Sequence, residues 1–269
     1  MISRISDLSA HSADEIEQVR RSINLRGYYF QGVKRLGSKT GMTLEEYKDW
    51  KKLPAKDPCR PCKGTGRYKK PERSVGTIHA SSAHSCVRRL YYDVDGSHPP
   101  KSSILPALQI TFSIGHGIHD VVQKALHEAL PGKFKDELRV DLDEAFVIGS
   151  HTDGVAELPQ ARVLVEIKSM GNEFDALVKP KPEHITQAVA IYAKALDAPF
   201  ISFLYVSKKW PHDVKEFVMT YDEIYFERWW KKKGAIVEAA LEEGVPPVAD
   251  ATKDDCSMCP YAYFCTQKI

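Results

Sequence analysis

Gly149-Ser-His-Thr-Asp153-Gly-Val-Ala-Glu-Leu-Pro-Gln-Ala-Arg162-Val-Leu-Val-Glu166-Ile-Lys168 holds two β-prone runs joined by a short polar link. Arg162–Lys168 is β-branched and half apolar, as a strand requires. Residues two apart on a strand point to one face. Glu166 and Lys168 therefore project together, and Ile167 turns into the core. If the two runs form a hairpin, Asp153 lies beside them. Two carboxylates suit a hard divalent cation such as magnesium or manganese. Such an ion polarises a phosphate and acidifies a bound water, and a nearby ammonium offsets the developing charge. A surface hairpin with an ordinary ion pair uses the same residue types, so the neighbouring segments have to decide.

The pattern around the hairpin is mixed. Residues 1–24 read as a loose helix with Ser12 and Asp14 as caps, and residues 43–51 as a short helix. Residues 54–76 are basic and rich in proline and glycine, which places a domain boundary near Val75. Ser81–Tyr92 reads as a helix with Cys86 inside it. Residues 104–130 are helical and closed by Pro131 and Gly132. Strands follow at Glu137–Leu142, Ala145–Val155 and Arg162–Lys168. A helix spans Pro182–Leu196, strands span Phe200–Val206 and Val214–Thr220, and a long helix spans Tyr221–Glu243. This order predicts an α/β fold, a mixed sheet flanked by helices.

The 269 residues suit one sizeable domain with an appendage. A net charge of only +2 means that any basic groove must be local. No run reaches the roughly 20 apolar residues of a membrane span. The polar, acid-bearing N-terminus lacks the apolar run of a signal peptide. The expectation is a cytoplasmic protein without a membrane partner.

Six cysteines, Cys59, Cys62, Cys86, Cys256, Cys259 and Cys265, point to metal rather than disulfides in a reducing compartment. Cys256-Ser-Met-Cys259-Pro-Tyr-Ala-Tyr-Phe-Cys265 supplies three thiolates. A tetrahedral site or cubane cluster wants four, and Cys86 is the natural fourth. Zinc satisfies the same spacing. Cys59-Arg-Pro-Cys62-Lys-Gly-Thr-Gly66 has two thiols, too few to close a zinc site. His79, His84 or a second subunit would have to complete it, and a metal-free turn is the equal alternative. The surrounding Arg60, Lys63, Arg67, Lys69, Lys70 and Arg73 form either a solvated face or a phosphate track. Tyr91, Tyr92, Trp229 and Trp230 fit core packing better than base stacking.

Four segments in order resemble the PD-(D/E)XK nuclease superfamily, in particular the RecB-like exonucleases, CRISPR-associated nucleases and their phage relatives. Gly115-His-Gly-Ile-His119 is similar to the family's Gly-x-x-x-His helix motif. Gly149-Ser-His-Thr-Asp153-Gly-Val is similar to its metal-aspartate strand. Val165-Glu166-Ile-Lys168-Ser is similar to its Glu-x-Lys motif. Gln187 with Tyr192 matches its Gln/Tyr helix, although the family spaces this pair four apart and here it is five. The resemblance covers about residues 76–269 and implies a restriction-endonuclease-like fold. It makes His119, Asp153, Glu166 and the carbonyl of Ile167 ligands of Mg2+ or Mn2+. It gives Lys168 the attacking water and makes Gln187 and Tyr192 orienting groups. His119 completes the motif spacing; His116 and His151 are its neighbours and competitors.

Cys-x2-Cys-x5-Cys with an upstream cysteine resembles the iron–sulfur domain of AddB-type and CRISPR-associated nucleases, which implies a 4Fe-4S cluster on Cys86, Cys256, Cys259 and Cys265. Cys59-x-x-Cys62-x-Gly-x-Gly is similar to one zinc-binding repeat of DnaJ-type chaperones. The expected organisation is an N-terminal extension, 1–75, and a nuclease domain, 76–269, with an iron–sulfur lobe from about 80–95 and 245–269. The expected activity is metal-dependent exonuclease action on single strands or duplex ends in recombination, repair or replication, beside a recombinase or annealing protein. The alternatives are a structure-specific endonuclease, a CRISPR spacer-processing nuclease, a non-catalytic DNA-binding subunit, and a chaperone-like zinc protein resting on residues 59–66 alone.

Overall fold

A computed structural model describes residues 1–39, 76–97, 106–209, 212–252, 256–257 and 259–265. The expected helix at 43–51, the boundary at Val75 and the pair Cys59 and Cys62 lie outside these residues. Among the described residues, five strands form one sheet in the order β1 (Phe134–Leu142), β2 (Val147–Glu157), β3 (Arg162–Met170), β4 (Phe200–Ser207) and β5 (Val214–Thr220). Neighbours run antiparallel except β3 and β4, which are parallel. A parallel pair needs a crossover, and the helical segment between Pro182 and Ala193 supplies it. β4 is buried along its whole length, as a central strand covered on both faces should be.

Two apolar layers cover the sheet. Val163, Val165 and Ile167 of β3 face one layer with α1 (Ala13–Ser22), α2 (Leu25–Lys39) and α4 (Pro106–Ala129). Leu164 and Met170 face the other. There they meet α3 (Val87–Asp95) and α5, which runs Pro182–Ile185 and continues as a π-helix over Thr186–Ala193. The same layer takes α6 (Glu223–Trp229) and α7 (Ala235–Glu243), joined by a π-helical turn over Trp230–Gly234.

Several boundaries differ from those expected. The first 24 residues make a 3-10 helix, Ile5–Ala10, and then α1. Ser12 caps α1 reciprocally with Glu15, and Asp14 stands in the first turn. The expected Ser81–Tyr92 helix is a 3-10 turn, Ala80–Ser82, followed by α3. Cys86 is the N-cap of α3 rather than an interior residue. Tyr221 stays outside its helix because Asp222 caps it, accepting the Ile224 N–H at 3.0 Å. Two glycines near the site are closely packed, and a Cβ on Gly154, beside Asp153, would lie 2.4 Å from the Phe134 ring. A Cβ on Gly115 would lie 3.1 Å from Ser169 Oγ, so this residue lets α4 lie close against the end of β3. No helix among the described residues is long and apolar enough to cross a membrane.

Candidate active site

β2 and β3 pair from Glu157 opposite Arg162 up to Gly154 opposite Val165, and no further. Beyond that point β2 continues only against β1, and β3 only against β4. The hairpin therefore forks at Asp153 and Glu166. The fork leaves the N–H of Ile167 without a β2 carbonyl, and Asp153 Oδ2 accepts it at 2.7 Å. A buried main-chain donor must find a partner, so this bond fixes the aspartate across the opening. Ile167 itself is fully buried in the α4-side layer, as the strand alternation predicts.

An opening between strands lets both helix layers reach one point. From the α4 side, His119 Nδ1 lies 3.0 Å from Asp153 Oδ1. On the opposite face, Lys168 Nζ donates to Glu166 Oε1. Glu166 is only 1% exposed, and its Oε2 is buried without a hydrogen-bond partner. Burial raises the Glu166 carboxyl to about 7, against the opposing pull of the Lys168 ammonium. Burial also works against charge on Asp153, yet His119, Lys168 and the Ile167 N–H hold it below its ordinary value. Burial opposes the charge on Lys168, but Glu166 and Asp153 keep that ammonium above its ordinary value.

The π-helix explains the five-residue spacing of Gln187 and Tyr192. One extra residue in a helical turn is accommodated as an i→i+5 bulge, which returns the fifth residue to the face of the first. Gln187 Nε2 donates to Tyr192 Oη at 3.1 Å. Burial, then Glu166, raises the Tyr192 phenol well above its ordinary value, with Asp153 and Glu137 acting in the same sense. Gln187 and Tyr192 thus face the fork from the layer opposite His119. His116 and His151, the competitors of His119, are both exposed.

Three contributors were not anticipated. Gln123, one turn beyond His119, donates from Nε2 to the Asp153 carbonyl at 2.9 Å and to Glu137 Oε1 at 3.2 Å. His184 was also missed; its Nδ1 lies 2.7 Å from Tyr205 Oη. Burial, then Lys168 and Lys181, lowers the His184 imidazole to about 3, so it is neutral at ordinary pH. Tyr205 stands opposite Lys168 in the β3–β4 register. The spacing of His119 to Gln123, four residues on one helix face, was a usable signal for the first. Nothing in the sequence flagged Glu137 or His184.

Among the described residues, no three His, Cys, Asp or Glu side chains are gathered to hold a cation as they stand. This holds for Cys86, Cys256, Cys259 and Cys265 as well as for the fork, where Lys168 donates to Glu166 Oε1 and His119 meets Asp153. The donor chemistry nevertheless fits a divalent ion. His119 Nδ1 and Asp153 Oδ1, in hydrogen-bond contact at 3.0 Å, are a nitrogen and an oxygen donor of the kinds such ions accept. Glu166 Oε2 is a buried carboxylate oxygen with no hydrogen-bond partner, the kind of atom a ligand would satisfy.

None of the four expected cluster cysteines is in a disulfide, and all four are half-buried. The C-terminal segment returns to α3, where Tyr261 Oη donates to Asp93 Oδ1 at 2.6 Å. Arg88 Nη1 donates to Cys265 Sγ at 3.8 Å, and Arg88 Nε to the Pro247 carbonyl at 2.7 Å. Burial raises the Cys259 thiol; the Tyr261 N–H and Arg89 oppose it, while neighbouring Cys86 and Cys256 add to it. The aromatic pairs serve packing. Tyr91 and Tyr92 join Tyr261 in a small apolar cluster, and Trp229 Nε1 donates to the Ala83 carbonyl at 2.8 Å.

No family model matches the chain, and no curated protein sequence matches it. Among solved structures it is similar to SSO0001, at 16% identity and a TM-score of 0.45, over 77% of this chain and 92% of that one. It is also similar to an alkaline exonuclease, LHK-Exo, from Laribacter hongkongensis, at 16% identity and a TM-score of 0.42, over 63% of this chain and 94% of that one. The structure of LHK-Exo in complex with dAMP gives 17% identity and a TM-score of 0.46, over 63% of this chain and 90% of that one. What this chain does has to be read from its own side chains.

Proposed function

We propose that the protein is a divalent-metal-dependent deoxyribonuclease of the PD-(D/E)XK, RecB-like type, acting as an exonuclease on single strands or DNA ends. The observation that supports it is the fork, where Asp153 and Glu166 stand with Lys168 and His119 at one opening. His119, Asp153, Glu166 and the Ile167 carbonyl would hold Mg2+ or Mn2+. The ion supplies a lowered water pKa and charge to set against the scissile phosphate.

The chain's own residues do the rest. Asp153 is held rigid by the Ile167 N–H, so its free direction is set before any ligand arrives. The Lys168 ammonium, buried beside Glu166, orients the attacking water and offsets charge growing on the phosphate oxygens. Water adds to phosphorus, the ester P–O bond breaks, and the leaving oxygen takes up a proton. Gln187 and Tyr192 orient the strand from the opposite layer. Cys86, Cys256, Cys259 and Cys265 would hold a 4Fe-4S cluster, whose role would be to tie the C-terminus to α3 rather than to take part in the chemistry. A place in recombination or repair beside an annealing protein or recombinase suits such an activity.

The test is digestion of end-labelled single- and double-stranded DNA with Mg2+ or Mn2+. The reading expects progressive release of short products from an end, abolished by chelator. No cleavage of either substrate with either metal would overturn it; cuts confined to interior positions would replace the exonuclease by an endonuclease.

A further inference from the structure

In the β1–β2 register, Asp136 stands opposite Gly154 and Leu138 opposite Thr152, which sets Glu137 across from Asp153. Glu137 has a φ of 49°, in the left-handed region that favours glycine. The backbone there has a structural duty, because β1 changes faces. Phe134 packs in the α4-side layer, whereas Leu138 and Val140 pack in the other. Glycine would meet that duty with less strain, yet the residue present carries a carboxylate.

That carboxylate is tied to the site. Gln123 is 6% exposed, and its single amide nitrogen bridges Glu137 Oε1 and the Asp153 carbonyl. An amide buried this deeply and joined to both residues fixes one relative to the other. On the other strand of the fork, Glu166 Oε2 is buried without a hydrogen-bond partner, while Lys168 occupies only Oε1. The Tyr192 phenol lies within electrostatic range of Glu166, Asp153 and Glu137 together, so the three acids share one neighbourhood.

We infer that Glu137 is the third acid of this site, a positioning residue held by Gln123 that raises the site's affinity for its divalent cation. The inference rests on the proposed metal-dependent reading of the fork and adds a residue that the hairpin motif does not contain. Its charge acts on the ion's binding rather than on the scissile bond. It therefore affects how much metal the protein needs more than how fast the loaded protein turns over.

The experiment is calorimetric titration of the full chain with Mn2+, alongside thermal unfolding of the metal-free protein. Glu137→Gly removes the carboxylate and suits the backbone, so it should weaken Mn2+ binding about tenfold or more. Its metal-free Tm should be unchanged or higher by a few degrees. Glu137→Gln keeps an acceptor for Gln123 and loses only the charge. It should weaken Mn2+ binding comparably, and it decides the matter if the glycine variant is unstable. Wild-type affinity in the glutamine variant overturns the inference and leaves the nuclease reading standing. A wild-type protein that binds no Mn2+ overturns both.

Discussion

Asp153 Oδ2 accepts the main-chain N–H of Ile167 at 2.7 Å, across the gap where β2 and β3 have stopped pairing. A side chain here does what a strand carbonyl does elsewhere in the sheet. The same carboxylate meets His119 through Oδ1, so structural and chemical duties are divided between its two oxygens.

The first prediction follows from that division. Asp153→Asn retains an oxygen able to accept the Ile167 N–H and should stay folded, with a Tm close to that of the parent. Cleavage should fall roughly a hundredfold or more, the scale seen when a charge-stabilising group is lost. Lys168→Ala should lose activity on the same scale. Turnover near the parent value in either variant, measured on labelled DNA, would remove these residues from the chemistry.

Gly115 offers a test of placement. A methyl group there would press on Ser169 Oγ from 3.1 Å, so either that hydroxyl gives way or α4 shifts and carries His119 with it. Gly115→Ala should lower kcat several-fold, since small displacements of a site group are costly. Ser169→Ala removes the obstructing oxygen and should restore most of the loss in the double variant. If the double variant is no better than Gly115→Ala alone, the contact is irrelevant.

The π-helix over Thr186–Ala193 makes a prediction about length. Deleting Ala190 shortens the turn by one residue and lets it close as an ordinary α-helix. Gln187 and Tyr192 would then be four apart and still on one face. The deletion should fold, keep substantial activity and protect its turn amides better against hydrogen exchange. An unfolded or inactive product, beside an active Ala190→Gly control, would show that the wide turn itself is required.

His184 governs part of the response to acid. Its folded pKa lies near 3, below the unfolded value of about 6.5, because burial and the Lys168 and Lys181 ammonium groups oppose its charge. Between these values the unfolded chain binds the extra proton, so stability present above about pH 6.5 is lost as pH falls toward 3. In urea melts, His184→Gln should show a shallower decline across that window than the parent. Glu166, raised to about 7, slopes the opposite way, which is why the comparison is between parent and variant. Equal slopes would mean that the imidazole is not kept neutral by the fold.

The cysteine lobe should behave as a structural element. Protein prepared without oxygen should be brown, with iron and sulfide in matching amounts. Cys259→Ser should lose the colour and lower Tm before it changes kcat, because energy from such a site is folding energy. Cys59→Ala and Cys62→Ala should keep the colour. A colourless protein with one zinc per chain would replace the cluster by zinc.

Strand periodicity made much of this legible. The β-branched run Arg162-Val-Leu-Val-Glu-Ile-Lys168 has one good solution, a strand with Glu166 and Lys168 on one side and Ile167 on the other, since alternation is a property of the local backbone. The helix around His119 and the order of the five strands follow from local pattern in the same way. The start of α3 was less legible, because Cys86 stands at the N-cap without a side-chain capping bond, so no capping residue marks the boundary. What only the tertiary structure decided is where β2 and β3 part. Pairing ends when the two strands are drawn toward different partners, and no residue at Gly154 or Val165 encodes that by itself. The parting brings His119 from one layer and Tyr192 from the other to the same opening. It also puts Glu137, unremarkable in sequence, across from Asp153. Burial of Glu166 and neutrality of His184 have the same origin, since desolvation is set by what the rest of the chain lays over a group.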